Sequence, residues 1–194
     1  MSWDKITEKK NPASVEIDKK STWDILHIIN AEDTRVASAV KESLPYIEGF
    51  IDALTTRLNK GGRLFYIGSG TSGRLGILDA AECPPTFRTD PEMIQGIIAG
   101  GNDALVRSIE GAEDNPDDGA QAIIDYGVTT KDVVLGITTS SSTPFVLGAL
   151  KKAKKIRSLT GLLICNKPPD LPYVDHMLSI IVGPEVITGS TRMK

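Results

Sequence analysis

Leu64-Phe65-Tyr66-Ile67-Gly68-Ser69-Gly70-Thr71-Ser72-Gly73-Arg74-Leu75 is the stretch from which the rest of the chain can be read. A short apolar run, Leu64 to Ile67, passes directly into a loop of glycines and hydroxyls, and Arg74 and Leu75 open a helical pattern. Near-continuous apolarity is what a parallel strand covered on both faces requires. The same grammar recurs downstream. Met93 to Ile98, Val133 to Ile137, Leu162 to Cys165 and Leu178 to Val182 are further strand candidates, and segments 74–81, 103–126 and 144–157 between them carry helix-compatible spacing. Strands alternating with helices predict an α/β fold, a three-layer αβα sandwich around a five-stranded, mostly parallel sheet.

Upstream the period is that of a helix. Val36, Ala39, Val40, Ile47, Ile51, Leu54 and Leu58 recur three, four or seven apart, predicting a helix from about Thr34 to Asn59 that Lys60-Gly61-Gly62 ends. Before it, Ser21-Thr22-Trp23-Asp24 has capping-box form and predicts a separate short helix through Ile29. Residues 1–20 are polar and turn at Asn11-Pro12, so they read as an arm that must dock to be ordered. The expected division is an arm with its short helix over 1–33, then one domain over 34–194.

The 194 residues suffice for one sizeable core without disulfides. Apolar residues make up 40%, charged residues 24%, and 22 Lys+Arg against 25 Asp+Glu leave a net charge of -3. That balance argues against disorder and against nucleic-acid binding through bulk positive charge. Cys83 and Cys165 stand far apart without metal-ligand spacing, which fits a reducing compartment. No apolar run approaches the ~20 residues of a membrane helix, and the polar N-terminus is no signal peptide. A cytoplasmic protein with no membrane partner is expected. The tail, Gly183 to Lys194, reads as a loop opening into an unfinished helix, so a truncated piece of a longer chain is expected.

In a doubly wound sheet, ligands bind beyond the carboxyl ends of the strands where strand order reverses, so the loops after the strands come under scrutiny. Gly68 to Gly73 is formally G-x-G-x-x-G, yet the next strand ends in Ala99-Gly100-Gly101, without the acidic residue that would hold a ribose; Asp90 precedes that strand. Dinucleotide binding is therefore disfavoured. What remains is Ser69, Gly70, Thr71, Ser72 and Gly73 at a helix N-terminus, the parts of an anion site. Simple N-capping by Thr71 or Ser72 would explain one hydroxyl but not the run. The third strand ends similarly: Thr138, Thr139, Ser140, Ser141, Ser142 and Thr143 precede Pro144. No lysine follows as in a P-loop, and Ser140 lacks the setting of a hydrolase nucleophile. Hydroxyls and amides without a fixed cation suit a phosphate monoester on a small polar molecule, a serine-rich surface loop being the plainer alternative.

Two strand–loop–helix units ending in such cradles resemble the sugar isomerase (SIS) fold. The wider pattern is similar to the N-acetylmuramic acid 6-phosphate etherases. It is carried by Thr7-Glu8, Asn11, Ile17-Asp18, Ser21-Thr22, Ile28-Ile29-Asn30 and Glu32-Asp33; by Ile67 to Gly76 and Asp79-Ala80-Ala81-Glu82-Cys83-Pro84-Pro85-Thr86; by Ile98 to Gly101 and Glu110-Gly111-Ala112-Glu113-Asp114; and by Thr143-Pro144 and Thr188 to Lys194. The resemblance implies cleavage of the D-lactyl ether of N-acetylmuramate 6-phosphate to N-acetylglucosamine 6-phosphate and D-lactate, with no metal or organic cofactor. It implies a phosphorylated amino sugar and a second copy of the chain, in a homodimer, as partners. It further puts the two catalytic carboxylates on Glu82, as proton donor, and Glu113, as base at C2.

Elimination next to C2–H followed by hydration does need two such groups, and the acid must keep its proton near neutral pH, so a water-poor pocket or a neighbouring carboxylate is expected around it. The plainer readings are that Glu82 braces a turn and that Glu110, Glu113 and Asp114 form a solvated helix end. Lys151, Lys152, Lys154, Lys155 and Arg157 read as a solvated face, and His27 and His176 as structural. The family's second cradle has Ser-Gly-Arg before Thr-Pro, whereas this chain has Ser140-Ser141-Ser142. A sugar-phosphate sensor, like the glucokinase regulatory proteins, and a phosphosugar isomerase are the competing functions.

Overall fold

The computed structural model describes residues 5–190. Thr191, Arg192, Met193 and Lys194, the end of the expected family motif, lie outside the described residues. Five strands, β1 (Leu64–Gly68), β2 (Ile94–Ile98), β3 (Val133–Ile137), β4 (Leu159–Ile164) and β5 (His176–Ser179), form one sheet in the order β2-β1-β3-β4-β5. All four pairings are parallel. Strand order therefore reverses between β1 and β3, and the two cradle loops follow these two strands.

The helices are α1 (Thr22–Leu58), α2 (Gly70–Phe87), α3 (Asp103–Val106), α4 (Pro116–Asp125) and α5 (Pro144–Ile156). Alternation along each strand sends side chains to opposite layers. Phe65, Ile67, Val134 and Leu162 enter a core with Ile123 of α4 and Val146, Ala149 and Leu150 of α5. Leu64, Val133, Leu135 and Leu178 face the other way, where Phe50 of α1 packs. Helix α2 joins α1 on that side through Gly76, whose missing Cβ would sit 2.7 Å from Tyr66 Cβ. Burial, with Asp79 of α2 nearby, pushes the Tyr66 hydroxyl pKa well up.

Several boundaries differ from the sequence reading. The expected break between a short helix and the long one does not exist: α1 is continuous through 30–33, about 55 Å long at ~1.5 Å per residue. Glu32, in the stretch between the two expected helices, is 1% exposed and its carboxylate accepts from Asn11 Nδ2. Helix α2 extends beyond 74–81 at both ends, and the 103–126 segment splits into α3 and α4 around a loop that contains Glu113. Strand β4 starts at Leu159 and β5 at His176, earlier than Leu162 and Leu178, because Thr160 and His176 are polar ladder residues. Thr160 accounts for itself by donating to Tyr173 O and Asp175 Oδ2, and His176 sets its ring edge-on to Phe50.

The arm docks, as the sequence requires. Short turns at Ile6–Glu8, Pro12–Ser14 and Ile17–Lys19 lead into α1, whose N-cap Ser21 accepts from Asp24 N. Asn11, 4% exposed, caps Ala13 N, donates to Glu32 Oε2 at 2.8 Å and to Pro184 O, and so ties arm, α1 and the C-terminal loop together. Arg35 pairs with the same Glu32 at 2.9 Å. Among the described residues no helix is long and apolar enough to cross a membrane.

Candidate active site

Both cradles open into one cavity of about 300 Å3 beyond the β1 and β3 ends. Ser69, Gly70, Thr71, Ser72, Thr138, Thr139, Ser140 and Thr143 line it together with Ile137, Glu113 and Glu8. Helix α2 begins there. Its N-cap is Ser69, whose side chain makes no capping bond, while Gly70 takes φ +53°. Thr71 and Ser72 lie within the first turn, and no described residue partners their hydroxyls, so the hydroxyl run is not consumed by capping. Helix α5 begins at the second cradle with Thr143 as N-cap, again without a capping bond; Thr143 Oγ1 instead meets Thr138 Oγ1 at 2.7 Å. The dipoles of two helix N-termini thus converge on a hydroxyl-lined cavity, a setting for an anion.

Glu113 is held from two sides. Its carbonyl accepts from Phe145 N in the first turn of α5 at 3.0 Å, and its carboxylate accepts from Ser69 Oγ at 2.7 Å. A second cavity of about 460 Å3 shares Ser69, Gly70 and Glu113 and continues past Arg74, Arg107 and Glu110, so Glu113 stands between two compartments. The Arg74 guanidinium is engaged by the Leu105 and Arg107 carbonyls.

Three expected site residues are not among the cavity lining. Gly73 is buried for packing: a Cβ there would lie 2.6 Å from Ile98 Cγ1 and 2.9 Å from Gly68 O. Ser141 turns out of the lining at φ +63°, a left-handed conformation that a serine rarely adopts. Glu82 is exposed on α2, twelve residues from Gly70, about 18 Å along the axis. The water-poor surroundings expected for a catalytic acid are absent around both Glu82 and Glu113, each of which is exposed in the single chain. Cys83 is buried, and burial pushes its thiol pKa up.

Sequence reasoning missed Glu8. Its only signal is the Thr7-Glu8 pair ahead of the Asn11-Pro12 turn, and nothing local says that a residue 56 positions before the start of β1 reaches the sheet tips. The basic stretch on α5 is not wholly solvated either: Lys154 pairs with Asp175, and Lys151 sits 5.3 Å from the Tyr173 ring centroid.

Fold and site together define a doubly wound α/β domain of the sugar isomerase (SIS) type with a hydroxyl-lined cavity at its switch point. Solved structures agree at the level of fold: a phosphoheptose isomerase from Francisella tularensis superimposes with a TM-score of 0.58 at 20% identity, covering 80% of this chain and 85% of that one. The sugar isomerase domain of an RpiR transcription factor from Sphaerobacter thermophilus gives 0.52 at 13% identity over 79% and 73%. The model of the glucokinase regulatory protein N-terminal SIS domain matches residues 46–154, and the chain belongs to that family. Among curated proteins it is 51% identical over 190 residues to an N-acetylmuramic acid 6-phosphate etherase of Caldanaerobacter subterraneus, which aligns with 97% of this chain and 62% of the relative. It is 52% identical over 193 residues to the Clostridium acetobutylicum protein of the same name, covering 98% and 64%. The chain thus spans a little over three fifths of the length of these relatives.

Proposed function

We propose that the protein is a carbon–oxygen lyase of the cytoplasm that cleaves the D-lactyl ether of N-acetylmuramic acid 6-phosphate, leaving N-acetylglucosamine 6-phosphate and D-lactate. The observation that carries this reading is the meeting, in one cavity, of two hydroxyl-bearing helix N-termini with the Glu113 carboxylate, in a chain half identical to proteins of that name. The cradle hydroxyls and amides take the phosphate. Glu113, adjoining both compartments, removes the C2 proton; the C3–O bond breaks as the departing lactate oxygen gains a proton from the acid; water then adds its hydroxyl to C3 and a proton to C2.

Glu82 fills the acid role only if a second copy supplies it. Support for that comes from α2 itself, where Glu82 shares one helical face with Leu75 and Leu78, each 57% exposed, an apolar surface suited to pairing. Closure of the site by a partner would also exclude the water that surrounds both glutamates in one chain.

The test is D-lactate release from N-acetylmuramate 6-phosphate by the full-length protein. The expected result is turnover in the parent and rates lower by orders of magnitude in Glu82→Gln and Glu113→Gln, with ligand binding retained. Phosphosugar binding without lactate release would overturn the lyase in favour of a sensor; a ketose product would point to an isomerase.

A further inference from the structure

The docked arm does more than brace the fold. Asn166, 3% exposed, accepts from Ile6 N at 2.7 Å and donates both to Thr7 Oγ1 and to Thr139 O at 2.9 Å. A single buried amide therefore fixes the Ile6–Glu8 turn to the second cradle. Thr7, 2% exposed, and Asn11 account for the anchoring. Glu8 is not needed for it: its carboxylate has no described partner and lines the cavity with Ser69, Thr71, Glu113 and Thr139.

We propose that Glu8 is a ligand-contacting, specificity-determining residue whose carboxylate accepts hydrogen bonds from the neutral donors of an amino-sugar phosphate, a ring hydroxyl or the amide N–H. This rests on the phosphosugar reading of the cavity and goes beyond it. An ionised carboxylate only accepts hydrogen bonds and repels an anion, so in a phosphate site it favours the part of the ligand that is not phosphate. The turn has the matching polarity. Lys5 at its start donates to Ser142 Oγ, which in turn meets Ser140 Oγ of the cavity wall at 3.2 Å; neither Lys5 nor Ser142 is among the cavity lining, whereas Glu8 is. A site that combines hydroxyl cradles with such an acceptor discriminates a sugar ester from inorganic phosphate, because the free ion leaves Glu8 unpaired and adds a like charge.

The experiment is calorimetric titration of the full-length protein and its Glu8→Ala and Glu8→Gln variants with N-acetylglucosamine 6-phosphate and with inorganic phosphate, alongside thermal melting. The expected result is roughly tenfold or greater weakening of the sugar ester by Glu8→Ala and partial rescue by Glu8→Gln. Inorganic phosphate should bind both variants equally or more tightly, at unchanged melting temperature. Sugar-ester affinity within twofold of the parent in Glu8→Ala would overturn the role while leaving the cavity's function standing. Parallel weakening of both ligands with a lowered melting temperature would likewise overturn it, in favour of a merely structural arm. Failure of the parent protein to bind the sugar ester would overturn the phosphosugar reading itself, and this role with it.

Discussion

Ser69 Oγ donates to Glu113 Oε2 at 2.7 Å, linking the N-cap of α2 to the residue whose carbonyl receives the first turn of α5. The bond crosses the switch point, forty-four residues apart in sequence, and it orients a carboxylate that is otherwise exposed. Replacing Ser69 by Ala removes that donor without emptying the cradle. A bond of this charge-assisted kind corresponds to roughly a ten- to hundredfold loss in kcat if it aims Glu113 at the substrate. Steady-state kinetics of the full-length protein should show the fall in kcat with little change in KM. An unchanged kcat would mean that Ser69 contributes to binding alone.

Ser141 stands where the etherase pattern has glycine, and its φ of +63° explains the preference. The left-handed region costs a residue with a Cβ about 1 kcal/mol relative to glycine, part of which the more flexible unfolded chain takes back. Ser141→Gly should raise the melting temperature by about 1–4 °C, measurable by calorimetry. A lowered melting temperature would mean that the Ser141 hydroxyl, which donates to the Ser140 carbonyl, outweighs the strain.

The comparison of Ser141 with Glu8 marks what the sequence can reveal. The cradles are legible because their information is local: an apolar run, then glycines and hydroxyls, then a helix, all within a dozen residues. The parallel sheet follows from the alternation of elements, while the order that sets β1 beside β3, and with it the switch point, is given by the structure. The break assigned to Asn30–Asp33 fails for the opposite reason, since Glu32 is polar yet buried, held by Asn11 from another segment. Glu8 escapes notice because its place depends on Asn166, 158 residues away, and a long-range anchor leaves no periodic trace. The site residues given by resemblance divide along the same line: Glu113 lines the cavity of its own chain, whereas Glu82 is exposed on α2 outside it.

At the opposite end of the sheet, Asp132 makes stability depend on pH. Burial alone would raise its pKa, but hydrogen bonds from the Arg63 guanidinium, from Thr129 N and Oγ1 and from Arg63 N outweigh it and hold the value below the usual carboxylate range. Asp175 is lowered in the same way: burial is outweighed by Lys154 and by Thr160. A carboxylate with a depressed folded pKa contributes stability that is complete above its unfolded value, about 3.9, and is lost as pH falls through the folded value. Denaturant melts should therefore show a plateau above pH 5 and a decline below about pH 4. Asp132→Asn should be less stable than the parent at pH 7, with the difference shrinking towards pH 3. A constant difference across that range would exclude the ionised carboxylate as the source.

Glu113 also depends on how closely α4 approaches α5. A Cβ on Gly148 would lie 2.0 Å from Pro116 O, and one on Gly119 would lie 1.9 Å from Phe145 O; in both cases the obstacle is backbone, which cannot swing aside as a side chain would. Gly148→Ala must push Pro116 away from α5, and with it the Glu113–Asn115 segment that leads into α4. Overpacking of this kind costs about 1–3 kcal/mol, so the melting temperature should drop by roughly 2–10 °C. The shift should reach the site as well, because Phe145 N donates to the Glu113 carbonyl from the first turn of α5. In the full-length protein kcat should fall more than the lost stability explains at a temperature where the variant is still folded. A variant that loses stability while keeping full kcat would show that Ser69 alone holds the Glu113 carboxylate in place.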